Sequence, residues 1–249
     1  MSVRDEALAD ITQALNNIAK AIERHITGAR VQVKKMKDIA AKLVVSLGDV
    51  QIKVEPNQAL RGSVYPPETR NLCVEAQTLF EQFASARTLS PADLYGGKIC
   101  AALDRQHPRD LYDVCLLLEN EGFTPEIRRA FVVYLASHDR PMHELLDPQL
   151  KDITSVYATQ FVGMARDDRS VETLLETRER LIALVRHGLD HDEKRFLLSV
   201  KRGEPDWDVL QIARLKDFPA LQWKLMNIRR MDRRKQAEAL AKLQTILDR

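Results

Sequence analysis

Apolar residues near the amino terminus recur at steps of three and four between Asp5 and His25, at Leu8, Ile11, Leu15, Ile18 and Ile22. This spacing places them on one face of a helix, and Gly28 is well suited to end it. The period then changes to two in "ARVQVKKM", "AKLVVSL" and "DVQIKVEPN". Such alternation predicts three strands, and Gly48-Asp49 predicts a hairpin between the second and third. A looser strand is expected at "NLCVEA".

Helical spacing dominates the chain after residue 90. Ser90-Pro91-Ala92-Asp93 predicts a helix start, since Ser caps the first turn and Pro fits the first helical position. Further helices are predicted at Pro125–Tyr134, Ser170–Arg186, Asp192–Val200, Asp206–Leu215, Ala220–Arg230 and Asp232–Leu247. We therefore expect an α+β fold, with a domain of helix and small sheet at residues 1–90 and a predominantly α-helical domain at residues 91–249.

Composition narrows the class of protein only slightly. The net charge of +2 is too small to identify a nucleic-acid-binding protein by itself. Three single cysteines without metal-ligand spacing suggest reduced core thiols. The amino terminus has no signal-peptide pattern, and no run approaches the roughly 20 apolar residues that span a bilayer. The sequence therefore predicts a cytoplasmic protein without a membrane segment.

The stretch "YGGKICAALDRQHPRDLYDV", Tyr95 to Val114, concentrates charge around a helix break. Lys98 is not the lysine of a phosphate-binding loop of the GxxxxGK[ST] type, because Ala92 and Ile99 stand where that motif needs Gly and Ser or Thr. Lys98 and Arg105 instead lie two helical turns apart on one face. Pro108 can begin a second helix, in which Asp110 occupies the first turn.

Two interpretations of this stretch follow from the spacing alone. In the second helix Arg109 and Asp113 are spaced as an i,i+4 pair. Cations beside carboxylates suit a polyphosphate site, and Gly96 and Gly97 would then give room for a ligand. Alternatively, the charges only hold two helices together and the glycines permit a tight helix crossing.

The same residues resemble a signature of the AbiEii/AbiGii nucleotidyltransferase family, the toxins of type IV toxin–antitoxin and abortive-infection systems. The residues that match the signature are Lys98, Ala102, Leu103, Arg105, Arg109, Asp110 and Asp113. A second stretch, "FLLSVKRGEPDWDVL…FPALQWKLMNI" (196–228), resembles the carboxy-terminal region of that family. The resemblance implies a fold similar to DNA polymerase β-type nucleotidyltransferases, with NTP and Mg²⁺ as cofactors and a role in phage defence.

The resemblance also implies roles for individual residues. Lys98 would hold the triphosphate, Arg105 and Arg109 would position phosphates or carboxylates, and Asp110 and Asp113 would act in the catalytic constellation. "VQIKVEPN" resembles the strand that carries the third metal carboxylate, which makes Glu55 the candidate metal ligand; a solvent-facing strand Glu is the alternative. Implied partners are NTP, tRNA or another RNA acceptor, and a genetically linked AbiEi-like antitoxin.

One part of the family pattern is absent from this sequence. The family begins with a Gly-Gly-Thr-Ala-Leu-like turn and an Asp-x-Asp strand that supplies paired metal carboxylates, and neither precedes Lys98 here. We therefore expect a truncated nucleotidyltransferase fold with little or no transferase activity by itself, because Mg²⁺ needs those oxygens. A non-catalytic nucleotide- or RNA-binding remnant and a helical interaction protein are the alternatives.

Three further features have two readings each. The basic stretch "NIRRMDRRKQ" (227–236) is typical of a solvated helix face or of an RNA contact. Trp207 and Trp223 are expected to be core anchors rather than surfaces on which bases stack. His107, next to Pro108, is interpreted as incidental rather than as a catalytic base.

Overall fold

The computed structural model describes residues 3–36, 39–56 and 62–249 of this chain. The chain divides into two compact units, Met1–Leu60 and Arg61–Arg249. The sequence-based domains 1–90 and 91–249 have a later boundary, and they stay a prediction. The α+β class is confirmed, with a sheet near the amino terminus followed by a mainly helical part.

The first unit consists of a long helix and a small antiparallel sheet. Helix α1 (Val3–His25) is followed by β1 (Arg30–Met36), β2 (Ile39–Leu47) and β3 (Val50–Val54), which pair in the order β1-β2-β3. The predicted hairpin is confirmed, because Leu47 pairs with Val50 across the two-residue turn and Gly48 has a φ of +56°. A positive φ of this kind is the reason that glycine suits this turn.

The core of this unit is small and lies between α1 and one face of the sheet. Leu15 and Ala19 of α1 are buried with Leu43 of β2, and Val33 and Val54 pack against them. Leu43 pairs with Val33 on one side and Val54 on the other, so alternation points these side chains to the same face. The alternating apolar residues of the strands therefore form one face of the sheet, which packs against α1.

The second unit begins with an antiparallel pair of strands, β4 (Glu68–Asn71) and β5 (Ser85–Thr88), joined through helix α2 (Val74–Phe80). Helices make up most of the remainder: α3 (Pro91–Arg105), α4 (Pro108–Asn120), α5 (Pro125–Ser137), α6 (Met142–Leu146), α7 (Thr154–Gln160), α8 (Val171–His187), α9 (His191–Arg202), α10 (Pro219–Arg229) and α11 (Arg233–Leu247). A short 3₁₀ helix, Leu215–Asp217, precedes α10.

Helix α5 lies at the centre of the second unit. Its sequence is apolar on all sides after the first turn, and the residues from Ala130 to Ala136 are all buried. A helix with this pattern has to be surrounded by other elements, and α5 packs against α3, α6, α9 and α10. Helix α3 is thereby fixed to the centre of the core.

A buried ion pair joins α5 to the start of α9. Arg128 Nε donates to both oxygens of Glu193, at 2.8 and 2.7 Å, and its Nη2 donates to Asp190 at 2.9 Å. The Glu193 side chain is 1% exposed, and burial raises its pKa. Asp190 and Glu193 also form the capping box that begins α9. This contact positions α9 on α5.

Several sequence predictions are wrong in detail. The helix predicted at Asp206–Leu215 is not formed: residues 206–214 are turns and irregular backbone, and Gln211 and Arg214 have positive φ angles of 53° and 59°. The strand predicted at "NLCVEA" ends at Asn71, and α2 begins at Val74. Helices α6 and α7 were not predicted.

The predictions for single aromatic and cysteine residues have mixed outcomes. Trp207 packs against the core, as predicted, but Trp223 is 59% exposed. Cys100 and Cys115 are buried, whereas Cys73 is exposed. Among the helices that the structure describes, none is both long enough and apolar enough to cross a membrane.

Candidate functional site

The amino-terminal end of α3 is fixed by a buried carboxylate. The backbone N–H groups of Val64 and Tyr65 donate to Asp93, at 2.6 and 2.9 Å, and the hydroxyl groups of Ser90 and Tyr134 donate to it at 2.8 and 2.6 Å. Ser90 Oγ also accepts from the Asp93 N–H, which confirms the predicted cap. Four donors offset the cost of burying this carboxylate, whose residue is 1% exposed.

The two glycines of the motif have different surroundings. A Cβ at Gly96 would lie 2.8 Å from the backbone nitrogen of Phe131 and 2.9 Å from the Cβ of Ala130, both in α5. A Cβ at Gly97 would meet nothing within 4 Å. Gly96 therefore permits the crossing of α3 and α5, and its role is not ligand clearance. Gly97 alone leaves open space beside α3.

Two ion pairs connect α3 to α4. Lys98 Nζ donates to Asp113 Oδ2, and Arg105 Nη2 donates to Asp110 Oδ1 at 2.6 Å. The Lys98 and Asp113 side chains are 34% and 36% exposed, whereas Asp110 is 13% exposed beside an Arg105 that is 61% exposed. The structure thus brings four of the predicted site residues together as two ion pairs between α3 and α4.

The turn between α3 and α4 determines this pairing. Gln106 ends α3 with a φ of 53°, and Pro108 begins α4. His107 is the N-cap, because its Nδ1 accepts from the N–H of Arg109 at 3.2 Å. His107 Nε2 lies 3.3 Å from Gln160 Oε1, so the neutral tautomer with a proton on Nε2 satisfies both contacts. His107 therefore has a structural role that the sequence did not reveal.

Arg109 is exposed and differs from the other cations of the motif. The predicted Arg109–Asp113 pair does not form, because Asp113 pairs with Lys98 across the two helices instead. Within the parts of the chain that the structure describes, the guanidinium of Arg109 makes no ion pair. Arg109 is thus a cation of the motif that can meet a phosphate without first leaving a carboxylate.

The carboxy-terminal end of α3 is held by residues outside the motif. Lys151 Nζ donates to the carbonyl oxygens of Asp104 and Arg105, at 3.0 and 3.3 Å, where a helix end leaves acceptors unsatisfied. Arg140 binds the Asp104 carboxylate at 2.8 Å. The buried Gln106 side chain accepts from Arg178 and from the Lys151 N–H, at 3.1 and 3.0 Å. These contacts keep Arg105 at a fixed place on the helix end.

Glu55 belongs to the first unit, just after β3. Its carboxylate lies 3.3 Å from Lys42 Nζ, and the side chains are 57% and 38% exposed. Alternation along the strands places this pair on the face opposite Leu43 and Val54, away from α1. The contact is that of an exposed cross-strand ion pair.

The carboxylates of the candidate site do not by themselves form a metal cage. Asp110 and Asp113 each accept from a cation, and Glu55 pairs with Lys42. In residues 3–36, 39–56 and 62–249, no three His, Cys, Asp or Glu side chains come together with metal-ligand geometry. Since Mg²⁺ needs several oxygen ligands, the described residues do not by themselves fit the metal.

The arrangement can bind anions at low cost. An exposed ion pair contributes about 0–1 kcal/mol, so phosphate oxygens can replace Asp113 at Lys98 or share it. Arg105 and Arg109 flank the turn at the start of α4. One helical hairpin thus carries three cations, and a Cβ added at Gly97, next to Lys98, would meet open space.

The sequence signals for some residues at this site were incomplete. Ser-Pro-x-Asp predicted the cap of α3 but not the contacts of Asp93 with Val64, Tyr65 and Tyr134, which are far away in the sequence. Nothing in the local sequence pointed to Lys151 or Arg140, because both reach α3 from later loops. The available signal for Asp93 was an acidic residue in the first turn of α3, three residues after the Ser90 cap.

Comparisons with known proteins give one match. A family model described as "Nucleotidyl transferase AbiEii toxin, Type IV TA system" matches residues 2–227, which cover nearly all of the first unit, the second unit up to residue 227 and the whole α3–α4 motif. No curated protein and no solved structure matches the chain.

Proposed function

Because the chain belongs to the AbiEii nucleotidyl transferase toxin family of type IV toxin–antitoxin systems, we propose that it serves the transfer of a nucleoside monophosphate from an NTP to tRNA or another acceptor. The observation that carries this proposal is the α3–α4 hairpin, in which Lys98 and Arg105 form ion pairs across the two helices and the exposed Arg109 begins α4. Such cations bind phosphate oxygens through charge-assisted hydrogen bonds.

Each residue of the hairpin has a proposed role. Arg109 meets the triphosphate first, since it has no carboxylate to leave. Lys98 then shares its ammonium group between Asp113 and a phosphate oxygen, and Asp113 and Asp110 keep the cations oriented. Arg105, held by Asp110, positions the phosphates from the other end of the turn. Glu55 stays the candidate metal ligand that the family resemblance implies.

We further propose that this polypeptide by itself is weakly active or inactive. The support is its sequence, which has no Asp-x-Asp pair before Lys98. Polymerase-type transfer relies on carboxylates that hold divalent metal ions at the reacting phosphate, and the family's use of Mg²⁺ is an expectation for the complete site. An AbiEi-like antitoxin as genetic partner, action in the cytoplasm and a role in phage defence belong to the same proposal.

A second candidate function is non-catalytic binding of nucleotide or RNA. The surface ion pairs of Lys98 and Arg105 favour it, because they can open to an anion whether or not turnover follows. A purely structural role is the third possibility, since the same pairs also hold α3 to α4.

Two measurements on the same preparations separate these possibilities. The first is transfer of label from each α-labelled NTP to total RNA, with Mg²⁺ or Mn²⁺ present. The second is NTP binding by calorimetry for the wild type, Lys98→Met, Arg109→Met and the control Lys216→Met, an exposed lysine before α10. We expect little transfer, and about tenfold weaker NTP binding for the two site variants, as loss of a charged hydrogen bond predicts.

The outcomes are distinct. Equal NTP binding by all four proteins would refute the phosphate-binding role and leave the structural role. Transfer that is abolished by Lys98→Met but not by Lys216→Met would establish the enzyme and refute the proposal of weak activity. Binding that is lost in the site variants, without transfer in the wild type, would favour the non-catalytic module.

A further inference from the structure

A cavity separate from the α3–α4 hairpin lies between α9, α10 and the loop that follows α5. Its volume is about 300 Å³, and its lining includes Asp139, Lys201, Trp223, Lys224 and Asn227. This cavity is called the Lys201 pocket below. None of these residues belongs to the charged motif, and all of them lie in the second unit.

Lys201 is an unusual residue to find in the wall of this pocket. It is 5% exposed, and in the described part of the chain its ammonium group makes no hydrogen bond or ion pair. Burial lowers the pKa of its amine. The ammonium nitrogen itself is not fully buried, and Lys201 lines the pocket. A charge held in so poorly hydrated a place is costly, so an anionic ligand in the pocket could neutralise it.

The charges around Lys201 do not provide that neutralisation. Lys224 donates to the carbonyl oxygens of His138, Asp139 and Arg140, at 2.5, 3.3 and 3.4 Å, which occupies its three N–H bonds.

Further titratable groups face Lys201 and Lys224. Burial lowers the pKa of His143 most; Glu144 raises it, and Lys242 and Lys201 lower it further. Asp139 acts on Lys224, in the direction that raises the pKa of that amine. Two lysines, Lys201 and Lys224, thus share the lining with one carboxylate residue, Asp139, and among the described residues none forms an ion pair with Lys201.

Trp223 gives the pocket a second recognition element. Its side chain is 59% exposed, an uncommon state for so large an apolar surface, and it also lines a neighbouring cavity with Arg229 and Arg230. An exposed indole beside cations is the combination that binds nucleotides, because a base stacks on the ring while a phosphate meets the charge.

We propose that the Lys201 pocket binds the phosphate of a nucleotide unit, with Lys201 as the phosphate ligand, Trp223 as the stacking surface for the base and Asn227 as a further hydrogen-bonding group. The nucleotide unit is either a free nucleotide or one residue of an RNA strand. This site does not depend on the function proposed for α3–α4, since it shares no residue with the hairpin.

The test uses the full chain and three probes: inorganic phosphate, AMP and a short single-stranded oligoribonucleotide. Binding is measured by calorimetry for the wild type, Lys201→Met, Trp223→Ala and the control Lys235→Met, an exposed lysine of α11. We expect Lys201→Met to lower the affinity for all three probes about tenfold or more, as loss of one charged hydrogen bond predicts. The affinities of Lys235→Met should stay within about twofold of those of the wild type. Trp223→Ala should weaken the binding of AMP and of the oligoribonucleotide but not that of inorganic phosphate.

The same experiment contains the results that would overturn the proposal. These are equal affinities of wild type and Lys201→Met, or no binding of any probe by the wild type at millimolar concentration. Affinity that is higher for the oligoribonucleotide than for AMP identifies RNA as the source of the phosphate, and the reverse identifies a free nucleotide.

Thermal unfolding without ligand provides an independent readout. Lys201→Met removes a poorly hydrated charge that has no ion pair among the described residues, so its melting temperature should equal or exceed that of the wild type. Added phosphate should raise the melting temperature of the wild type by more than that of Lys201→Met. A fall in melting temperature would show that Lys201 is already paired in the free protein, and would refute the argument. Failure of Lys201→Met to fold counts in the same way, and Lys201→Gln repeats the comparison with a polar side chain.

Discussion

Gly96 and Gly97 are neighbours in α3, but the structure predicts opposite effects for their replacement by alanine. At Gly96 the new methyl group would lie 2.8 Å from a backbone nitrogen and 2.9 Å from another Cβ, which is closer than such atoms approach. At Gly97 it would meet nothing within 4 Å. The two variants share the same chemical change, the same helix and almost the same position.

The expected magnitudes follow from two terms. Alanine is favoured over glycine inside a helix by about 1 kcal/mol, and both variants gain this term. Overpacking costs about 1–3 kcal/mol when the surroundings are rigid, and at Gly96 the surroundings are the backbone of the fully buried α5. Gly97→Ala should therefore raise the free energy of unfolding by about 0.5–1 kcal/mol. The free energy of unfolding of Gly97→Ala should exceed that of Gly96→Ala by about 1–3 kcal/mol.

Urea unfolding followed by circular dichroism measures the difference directly. Equal free energies of unfolding for the two variants, or a Gly96→Ala variant more stable than the wild type, would refute the helix-crossing role of Gly96. NTP titration of the folded Gly97→Ala variant adds a functional readout. Weakened NTP binding would support Gly97 as clearance for a ligand, and unchanged binding would contradict it.

Three other variants test further contacts. Asp93→Asn should lower the free energy of unfolding in urea by about 2–4 kcal/mol, because an amide oxygen cannot accept from four donors. Asp113→Asn breaks only a surface ion pair and should lower it by at most about 1 kcal/mol. Similar losses for the two variants would contradict the anchoring role of Asp93. Arg128→Met should cost about 3–5 kcal/mol by leaving Glu193 buried without its cation, and adding Glu193→Gln should restore part of the loss; no recovery would show that packing, not charge, dominates. Burial lowers the pKa of Lys224 to about 8, below its ordinary value, so the unfolded chain binds more protons above that pH and stability should rise from pH 8 to pH 10. Chemical unfolding of Lys224→Gln should lack this rise, and an identical pH profile would exclude the assignment.

The elements of the first unit could be predicted because their patterns are local. Period-two alternation gave the three strands, and Gly48-Asp49 gave the hairpin, since a two-residue turn constrains few residues at once. The start of α3 was equally readable, because Ser90 and Pro91 act on the first turn alone.

The contacts that organise the candidate site were less accessible, since their partners lie elsewhere in the chain. The spacing suggested an Arg109–Asp113 ion pair within one helix. In the structure, Asp113 of α4 instead forms an ion pair with Lys98 of α3. Residues 206–215 carry helical spacing, yet Gln211 and Arg214 take left-handed backbone conformations there. Packing of this segment on the core overrides its propensity.

The α3–α4 hairpin also has a consequence for the order of folding. Its ion pairs join residues that are 15 and 5 positions apart, whereas the donors to Asp93 from Val64 and Tyr134 lie 29 and 41 positions away. Contacts between near neighbours lose less chain entropy and form sooner. The surface that presents Lys98 and Arg105 should therefore assemble early, before the preceding segment docks onto α3, so the candidate site forms on a locally folded scaffold.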